Sequence, residues 1–193
     1  MNKTTKASTL NLATGAILTA MVIVLQYVAL LLRPTVFSVS LVLVPIVIGA
    51  ALCGPKISAW LGLVFGAVVL FSGDAAAFLS INAIGTVVTV LAKGTLCGLA
   101  AGLAYRLLEK WTGSRWLSVV VAAIVCPVVN TGIFALGCLV FFWDTLTQWA
   151  GGGSTWHYLV FVLIGANFLI EMLLNVVLAP VVVRLVGIAK KMK

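Results

Sequence analysis

Charged side chains are scarce in this chain. Of its 193 residues, 8% are Asp, Glu, Lys or Arg, against about 25% in a typical soluble domain. Only four residues are acidic, and there is one histidine. This composition excludes a soluble enzyme, a disordered chain and a nucleic-acid-binding domain, because each of these needs a largely polar or charged surface.

Catalytic and metal-binding patterns are also missing. The sequence has no GxxxxGK[ST] loop, no HExxH motif and no CxxC pair. Its four cysteines lie in or beside apolar runs, which favours small buried hydrophobic residues over metal ligands or disulfides. We therefore expect no enzyme activity, no bound metal and no cofactor. Active transport by this chain would need an ion gradient or a partner ATPase.

Apolar residues make up 63% of the chain, and a membrane-spanning helix needs roughly 20 of them in succession. The composition predicts an all-α membrane protein, a six-transmembrane-helix bundle that forms one domain over residues 1–193. β-Barrel strands are excluded because each run far exceeds the roughly 10 residues of a barrel strand. The six predicted spans cover roughly residues 10–32, 36–53, 57–71, 80–108, 116–143 and 156–188.

The basic residues orient these spans. Ten of the twelve lie at the two chain ends or in two short loops that six spans place on one side. Cytoplasmic segments of membrane proteins are enriched in Lys and Arg. We therefore expect both termini to be cytoplasmic, and we attribute the net charge of +8 to this asymmetry rather than to a nucleic-acid partner.

Small residues recur at helical spacing on three of the spans. Helices in lipid approach closely where such residues leave room for a neighbouring backbone. One stripe lies on the first span, one on the third and one on the fourth: Ala13, Ala16 and Ala20; Gly62 and Gly66; Gly94, Gly98 and Gly102. Internal helix packing is the simplest interpretation of each stripe.

Polar side chains inside the membrane are the strongest functional pointers, because each needs a partner there. The fourth span carries such residues on one face, and so does the last: Asn82, Thr86, Thr89 and Lys93; Asn167, Glu171 and Asn175. At about 1.5 Å per residue, Lys93 and Glu171 both lie ~20 Å below the outer surface. We predict that they form an intramembrane ion pair. Two roles stay open for it, a structural pair beneath a pocket or the polar floor of a cavity.

Aromatic residues surround a glycine-rich outer loop at 151–153. Trp143 and Trp156 lie at the ends of the two spans that this loop joins. Tryptophan is enriched at membrane interfaces, so an interfacial belt is one interpretation. The other is a lid that stacks on a planar ligand.

With these features the chain resembles the substrate-binding S components of energy-coupling-factor (ECF) vitamin transporters. The resemblance rests on the six-span layout, the Ala16-x-x-x-Ala20 motif and three further segments. The segments are Leu43-Val-Pro-Ile-Val-Ile-Gly49; Gly54-Pro55-Lys56 followed by Gly62-Leu-Val-Phe-Gly66; and Asn167-Phe-Leu-Ile-Glu171 with Leu178-Ala-Pro180. Together they cover nearly the whole chain.

The resemblance implies a multi-pass protein of the bacterial plasma membrane that captures a B-vitamin or related nutrient from outside. It implies delivery together with a membrane T subunit and two ATPase subunits, with docking through the alanine stripe of the first span. The expected substrate-binding residues, inferred from depth and polarity, are Arg33, Asn82, Thr86, Asn130, Trp143, Trp156 and Asn167. Arg33 and Lys93 suit an anion such as pantothenate, whereas an aromatic lid suits a flavin such as riboflavin.

Two other classes of function stay open from the sequence. A stand-alone secondary or facilitative transporter would use Lys93 and Glu171 for coupling. A non-transport scaffold or assembly protein would use the packing stripes alone.

Overall fold

A computed structural model describes residues 3–31 and 41–191. This part of the chain is helical, and no strand occurs in it. The helices are α1 (Lys3–Leu31), α2 (Leu43–Cys53), α3 (Pro55–Phe71), α4 (Ala76–Leu79), α5 (Ala83–Thr112), α6 (Arg115–Phe141), α7 (Trp143–Trp149), α8 (Thr155–His157) and α9 (Ala166–Lys191). A π-helical stretch, Tyr158–Gly165, joins α8 to α9. The predicted all-α class is confirmed for the described residues.

Four continuous helical segments are long and apolar enough to cross a membrane. They are Thr9–Leu31, Ala83–Thr112, Arg115–Phe141 and Thr155–Ala189. Two shorter apolar helices, Leu43–Cys53 and Pro55–Phe71, correspond to the predicted second and third spans. Large apolar side chains such as Ile84 and Val140 project outward, at 78% and 70% exposure. The chain is therefore embedded in a membrane.

The short helix α2 lies at the centre of the bundle. It contacts α1, α3, α5, α6 and α9, and every residue from Leu43 to Ala51 except Val44 is buried. A helix that is apolar on all sides is suited to such a position, because no face of it meets water or a polar surface. Gly54, with φ of 85°, ends α2, and Pro55 then starts α3.

The glycine stripes of the sequence bring α3 and α5 together. A Cβ added at Gly62 would overlap the carbonyl group of Gly94, and one added at Gly98 would overlap the carbonyl group of Ser58. The Ser58 hydroxyl group donates a hydrogen bond to the Gly98 carbonyl oxygen at 2.6 Å. The packing interpretation of these two stripes is therefore confirmed.

Polar caps set the ends of α5 and α6. The Asn82 side chain accepts a hydrogen bond from the Gly85 N–H at 2.9 Å and caps α5. Gly113, with φ of 63°, ends that helix, and Ser114 caps α6. The polar segment predicted as a loop over 109–115 is thus mostly helical, because a left-handed glycine and a serine cap suffice for the turn.

Candidate functional site

A cavity of about 260 Å³ lies among α5, α6, α9 and the turn that precedes α4. α5 presents a polar stripe to it, because Thr86, Thr89 and Lys93 recur at helical spacing on one face. The opposite wall comes from α6 and α9, and the π-helical stretch contributes two residues. The lining residues are Val69, Asp74, Ala75, Phe78, Thr86, Thr89, Val90, Lys93, Asn130, Thr131, Phe134, Phe142, Leu163, Ile164, Asn167, Phe168 and Glu171.

Two buried polar atoms on this wall have no hydrogen-bond partner among the described residues. They are the Asn130 side-chain oxygen and the Thr89 hydroxyl oxygen. Each residue is 5% exposed. An unsatisfied buried polar group costs about 1–3 kcal/mol. A cavity beside both atoms gives a bound molecule or its waters the place from which to satisfy them.

Lys93 and Glu171 bring opposite charges to the same cavity. The Lys93 ammonium group lies 5.1 Å from the ring centroid of Phe134 and 5.8 Å from that of Phe65. Glu171 lines the same cavity as Lys93 and Asp74. Aromatic faces attract a desolvated cation, so these rings hold the ammonium group at the cavity wall.

Phenylalanine rings form the apolar part of the wall. Phe78 is the centre of this cluster, with its ring centroid 5.8 Å from that of Phe134, 5.0 Å from that of Phe142 and 5.6 Å from that of Trp149. All three pairs are edge-on, which is a favoured geometry for aromatic rings. Trp149 belongs to α7, so the cluster joins α7 to the cavity.

Asp74 connects the cavity to α1. Its carboxylate oxygen Oδ2 accepts a hydrogen bond from the Gln26 side-chain amide nitrogen at 3.0 Å. Gln26 is a polar side chain on the buried face of an otherwise apolar stretch, and it is 2% exposed. The hydrogen bond therefore satisfies an amide that would be costly to bury alone.

The model of the family "ECF transporter, substrate-specific component" matches residues 10–183. The chain belongs to this family. Comparison with curated proteins and with solved structures gives no match. Members of the family are substrate-binding subunits of transporters rather than enzymes. Membership implies a small-molecule substrate and assembly with a T subunit and an ATPase module.

In this substrate-specific component, six residues singled out from the sequence line one cavity. They are Thr86, Thr89, Lys93, Asn130, Asn167 and Glu171. The structure thus brings together residues from three helices that are up to 85 positions apart, from Thr86 to Glu171. A direct ion pair between Lys93 and Glu171, and the role of each residue in binding, stay predictions.

Three other predicted binding residues are described and lie outside the cavity lining. Asn82 is the cap of α5, and its side chain is hydrogen-bonded to the Gly85 N–H rather than turned to the cavity lining. Trp143 and Trp156 contact each other edge-on, with ring centroids 5.3 Å apart, and both stand outside the cavity lining. Arg33 lies outside the described residues.

The alanine stripe of α1 faces away from the bundle. Ala13, Ala16 and Ala20 are exposed, whereas Leu18 and Val22 on the opposite side are buried. A face of small exposed side chains on an outer helix leaves room for a neighbouring backbone.

Asp74, Phe78 and Phe134 are among the lining residues that reasoning from the sequence misses. Asp74 lies between the predicted third and fourth spans, and none of the three has a predicted role. Gln26 is the one sequence feature that points toward Asp74, because a lone amide in an apolar run requires a buried partner somewhere else in the chain. The sequence offers no rule for choosing Asp74 as that partner.

Proposed function

We propose that this chain is the substrate-capture subunit of an ECF-type importer of the bacterial plasma membrane. It binds a B-vitamin or related small nutrient from outside and delivers it with a T subunit and two ATPase subunits. The proposal includes a bundle of six spans with both termini cytoplasmic. Four helices long and apolar enough to cross a membrane support it, and we propose the shorter helices α2 and α3 as the second and third spans.

One observation carries the proposal of a substrate site. The Asn130 oxygen and the Thr89 hydroxyl oxygen are buried without a partner among the described residues, and both residues line a cavity that also carries Lys93, Glu171 and Asn167. Polar atoms in a membrane protein are costly without partners. A mostly apolar pocket with a few convergent polar groups is the usual form of a small-molecule site.

The size of the cavity favours a small substrate. The cavity volume is about 260 Å³. This is below the usual range of about 300–1,000 Å³ for ligand pockets. Of the two vitamins considered from the sequence, pantothenate fits this volume better than the three-ring flavin of riboflavin.

The exposed alanine face of α1 is the proposed docking surface for the T subunit. Ala13, Ala16 and Ala20 lie opposite the buried face of the helix, so a partner helix there leaves the cavity walls intact. Family membership supports a subunit with separate docking and substrate-binding surfaces over a stand-alone transporter.

Mass spectrometry of small molecules released from the purified chain tests the proposed function. The wild-type protein, isolated in detergent and then denatured, should release one nutrient-sized compound in a near-stoichiometric amount. The matched variant Asn130→Ala should release much less, whereas Asn175→Ala should keep the wild-type amount, because Asn175 is outside the cavity lining. Release of only lipid and detergent by the wild type, even after growth in nutrient-rich medium, would contradict the proposal.

A further inference from the structure

The hydroxyl group of Thr89 behaves differently from those of five other threonines in the described helices. Each of the five donates a hydrogen bond to the carbonyl oxygen four residues before it, a common way for a helical threonine to satisfy its hydroxyl group. These bonds are 2.7–3.0 Å long, and the donors are Thr14, Thr19, Thr86, Thr112 and Thr147. The Thr89 hydroxyl oxygen is buried and forms no such bond with any residue that the structure describes.

The neighbouring helix α6 makes room for the Thr89 side chain. A Cβ added at Gly137 would overlap the methyl and hydroxyl groups of Thr89, so Thr89 occupies space that a side chain at Gly137 would fill. Thr89 is 5% exposed and lines the cavity. Its hydroxyl group therefore lies at the contact of α5 with α6, where it can both donate and accept a hydrogen bond.

Thr89 and Asn130 lie at different heights along the same wall of the cavity. Gly137, against which Thr89 packs, follows Asn130 by seven residues on α6, which is two helical turns or about 10 Å along the helix axis. Lys93 and Phe134 lie between these two heights, with the Lys93 ammonium group 5.1 Å from the Phe134 ring centroid.

This spacing is too large for one polar group of a bound molecule to satisfy both oxygens. Helical side chains lean towards the N-terminus of their helix, which for Asn130 is the direction away from Gly137. A single atom that is hydrogen-bonded to two oxygens spans at most about 6 Å, twice the usual hydrogen-bond length. The Thr89 and Asn130 oxygens therefore need two separate polar groups.

We propose that Thr89 is a specificity-determining residue that hydrogen-bonds one end of the substrate, while Asn130 bonds the other end. This inference rests on the proposed function. The substrate is then an elongated molecule with two polar groups about 10 Å apart. The group at Asn130 is an N–H or O–H donor, because the oxygen of a side-chain amide only accepts. The group at Thr89 is a hydroxyl, carbonyl or amide group, because a hydroxyl group bonds donors and acceptors alike.

Two substitutions separate the hydroxyl group of Thr89 from its shape. Thr89→Val keeps the branch at Cβ and removes the hydroxyl group, whereas Thr89→Ser keeps the hydroxyl group and removes the methyl group. Thr19→Val is the matched control. It removes a hydroxyl group that donates to the Gly15 carbonyl oxygen, and it does so on α1, which contributes no residue to the described cavity lining.

The readouts are the unfolding temperature of the chain after dialysis and its dissociation constant for the compound that mass spectrometry identifies in the wild-type protein. Thr89→Val should weaken binding about tenfold. Its unfolding temperature should equal or exceed that of the wild type, because a methyl group replaces a buried hydroxyl group that lacks a partner. Thr89→Ser should restore most of the affinity, and Thr19→Val should bind as the wild type does.

Analogues of the same compound test the two-ended arrangement. Each analogue has one polar group replaced by hydrogen or methyl. One analogue should bind equally to Thr89→Val and to the wild type, and a different analogue should bind equally to Asn130→Ala and to the wild type. If a single analogue removes both differences, the two residues bind one group and the elongated substrate is wrong.

Three results would overturn the role of Thr89. They are wild-type binding by Thr89→Val, equal weakening by Thr89→Val and Thr89→Ser, and a lower unfolding temperature for dialysed Thr89→Val. The last result would mean that the hydroxyl group supports the fold. All three leave the proposed function standing, because the wild type still binds. A wild-type chain that releases no small molecule would overturn the proposed function and this inference with it.

Discussion

At the scale of single residues, polar groups inside the membrane divide by whether their partners lie within the chain. The Thr86 hydroxyl group donates to the Asn82 carbonyl oxygen at 2.7 Å, and the Asn175 amide donates to the Glu171 carbonyl oxygen at 2.8 Å. The Asn130 oxygen has no such partner among the residues that the structure describes. This difference, rather than polarity alone, separates a structural amide from a candidate ligand-binding one.

The Asn130 oxygen has no partner among the described residues, and Asn167 lines the same cavity, so we expect both amides to contribute to binding. Replacing either with alanine should cost on the order of 1–3 kcal/mol, roughly 5- to 150-fold in affinity. Asn175→Ala is the control, because it removes an amide from the same helix as Asn167 but from outside the lining. It should lower stability and leave affinity near that of the wild type. Unchanged affinity in both Asn130→Ala and Asn167→Ala would refute the assignment of the cavity.

A second residue-scale prediction concerns Lys93 and Glu171. Removal of one charge, as in Lys93→Met or Glu171→Gln, leaves the other without its proposed partner, and breaking a fully buried pair in this way costs about 3–5 kcal/mol. The double variant should be more stable than either single variant, since neither member of the proposed pair is left without the other. Thermal unfolding of the three purified variants measures this. If the double variant loses as much stability as the two single variants together, the two charges are not coupled.

The helical spacing of the sequence predicted part of this site for a physical reason. Thr86 and Lys93 lie on one face of one helix, and a face is fixed by a period of 3.6 residues. Asp74 and Phe78 reach the cavity through a turn and the short helix α4, whose path depends on tertiary packing. No local pattern encodes that path, and so these two residues had to be seen in the structure.

At the scale of helices, the contact of α3 with α5 depends on the absence of side chains. Gly62→Ala or Gly94→Ala places a methyl group against a backbone carbonyl group of the other helix. Such overpacking typically costs about 1–3 kcal/mol. We expect both variants to unfold at a lower temperature in detergent.

Gly132→Ala on α6 provides the matched control for this prediction. A Cβ at Gly132 meets no atom within 4 Å, and alanine favours a helix over glycine by about 1 kcal/mol. This variant should be as stable as the wild type or more stable. Equal unfolding temperatures for Gly62→Ala and Gly132→Ala would contradict the close approach of α3 and α5.

The long helices were predicted well from the sequence, and the segments between them were predicted poorly. Long apolar runs identify α5 and α6 because span length is set by membrane thickness. The segment between the predicted fifth and sixth spans, expected to be a loop, contains the helix α7. A seven-residue helix has too few turns to show a clear helical period in its apolar residues. The predicted start of the second span, at residue 36, lies outside the described residues.

At the scale of the whole molecule, the orientation of the bundle is open to a direct test. Gly113 and Gly152 lie in turns with φ of 63° and 89°, so a side chain there strains the backbone by about 1–2 kcal/mol but meets no atom within 4 Å. The proposed topology has Gly113 in the cytoplasm and Gly152 outside. Single cysteines at these positions, in a background without the four native cysteines, should therefore differ in intact cells. A membrane-impermeant thiol reagent should label position 152 and not 113; equal labelling of both would refute the orientation.

The central claim is that capture and delivery use different faces of the molecule. Ala16→Trp and Ala20→Trp fill the exposed face of α1, which we propose as the surface that docks on the T subunit. The described cavity lining includes no residue of α1, so capture should be unaffected. Val140→Trp, on the exposed side of α6, is the control for a bulky side chain facing lipid.

The most direct measurement is nutrient uptake by cells, compared with binding of the same compound by the purified chain. The account predicts that Ala16→Trp and Ala20→Trp lose uptake and retain wild-type binding, while Val140→Trp retains both. Loss of binding in the two alanine variants, or wild-type uptake in both, would contradict it.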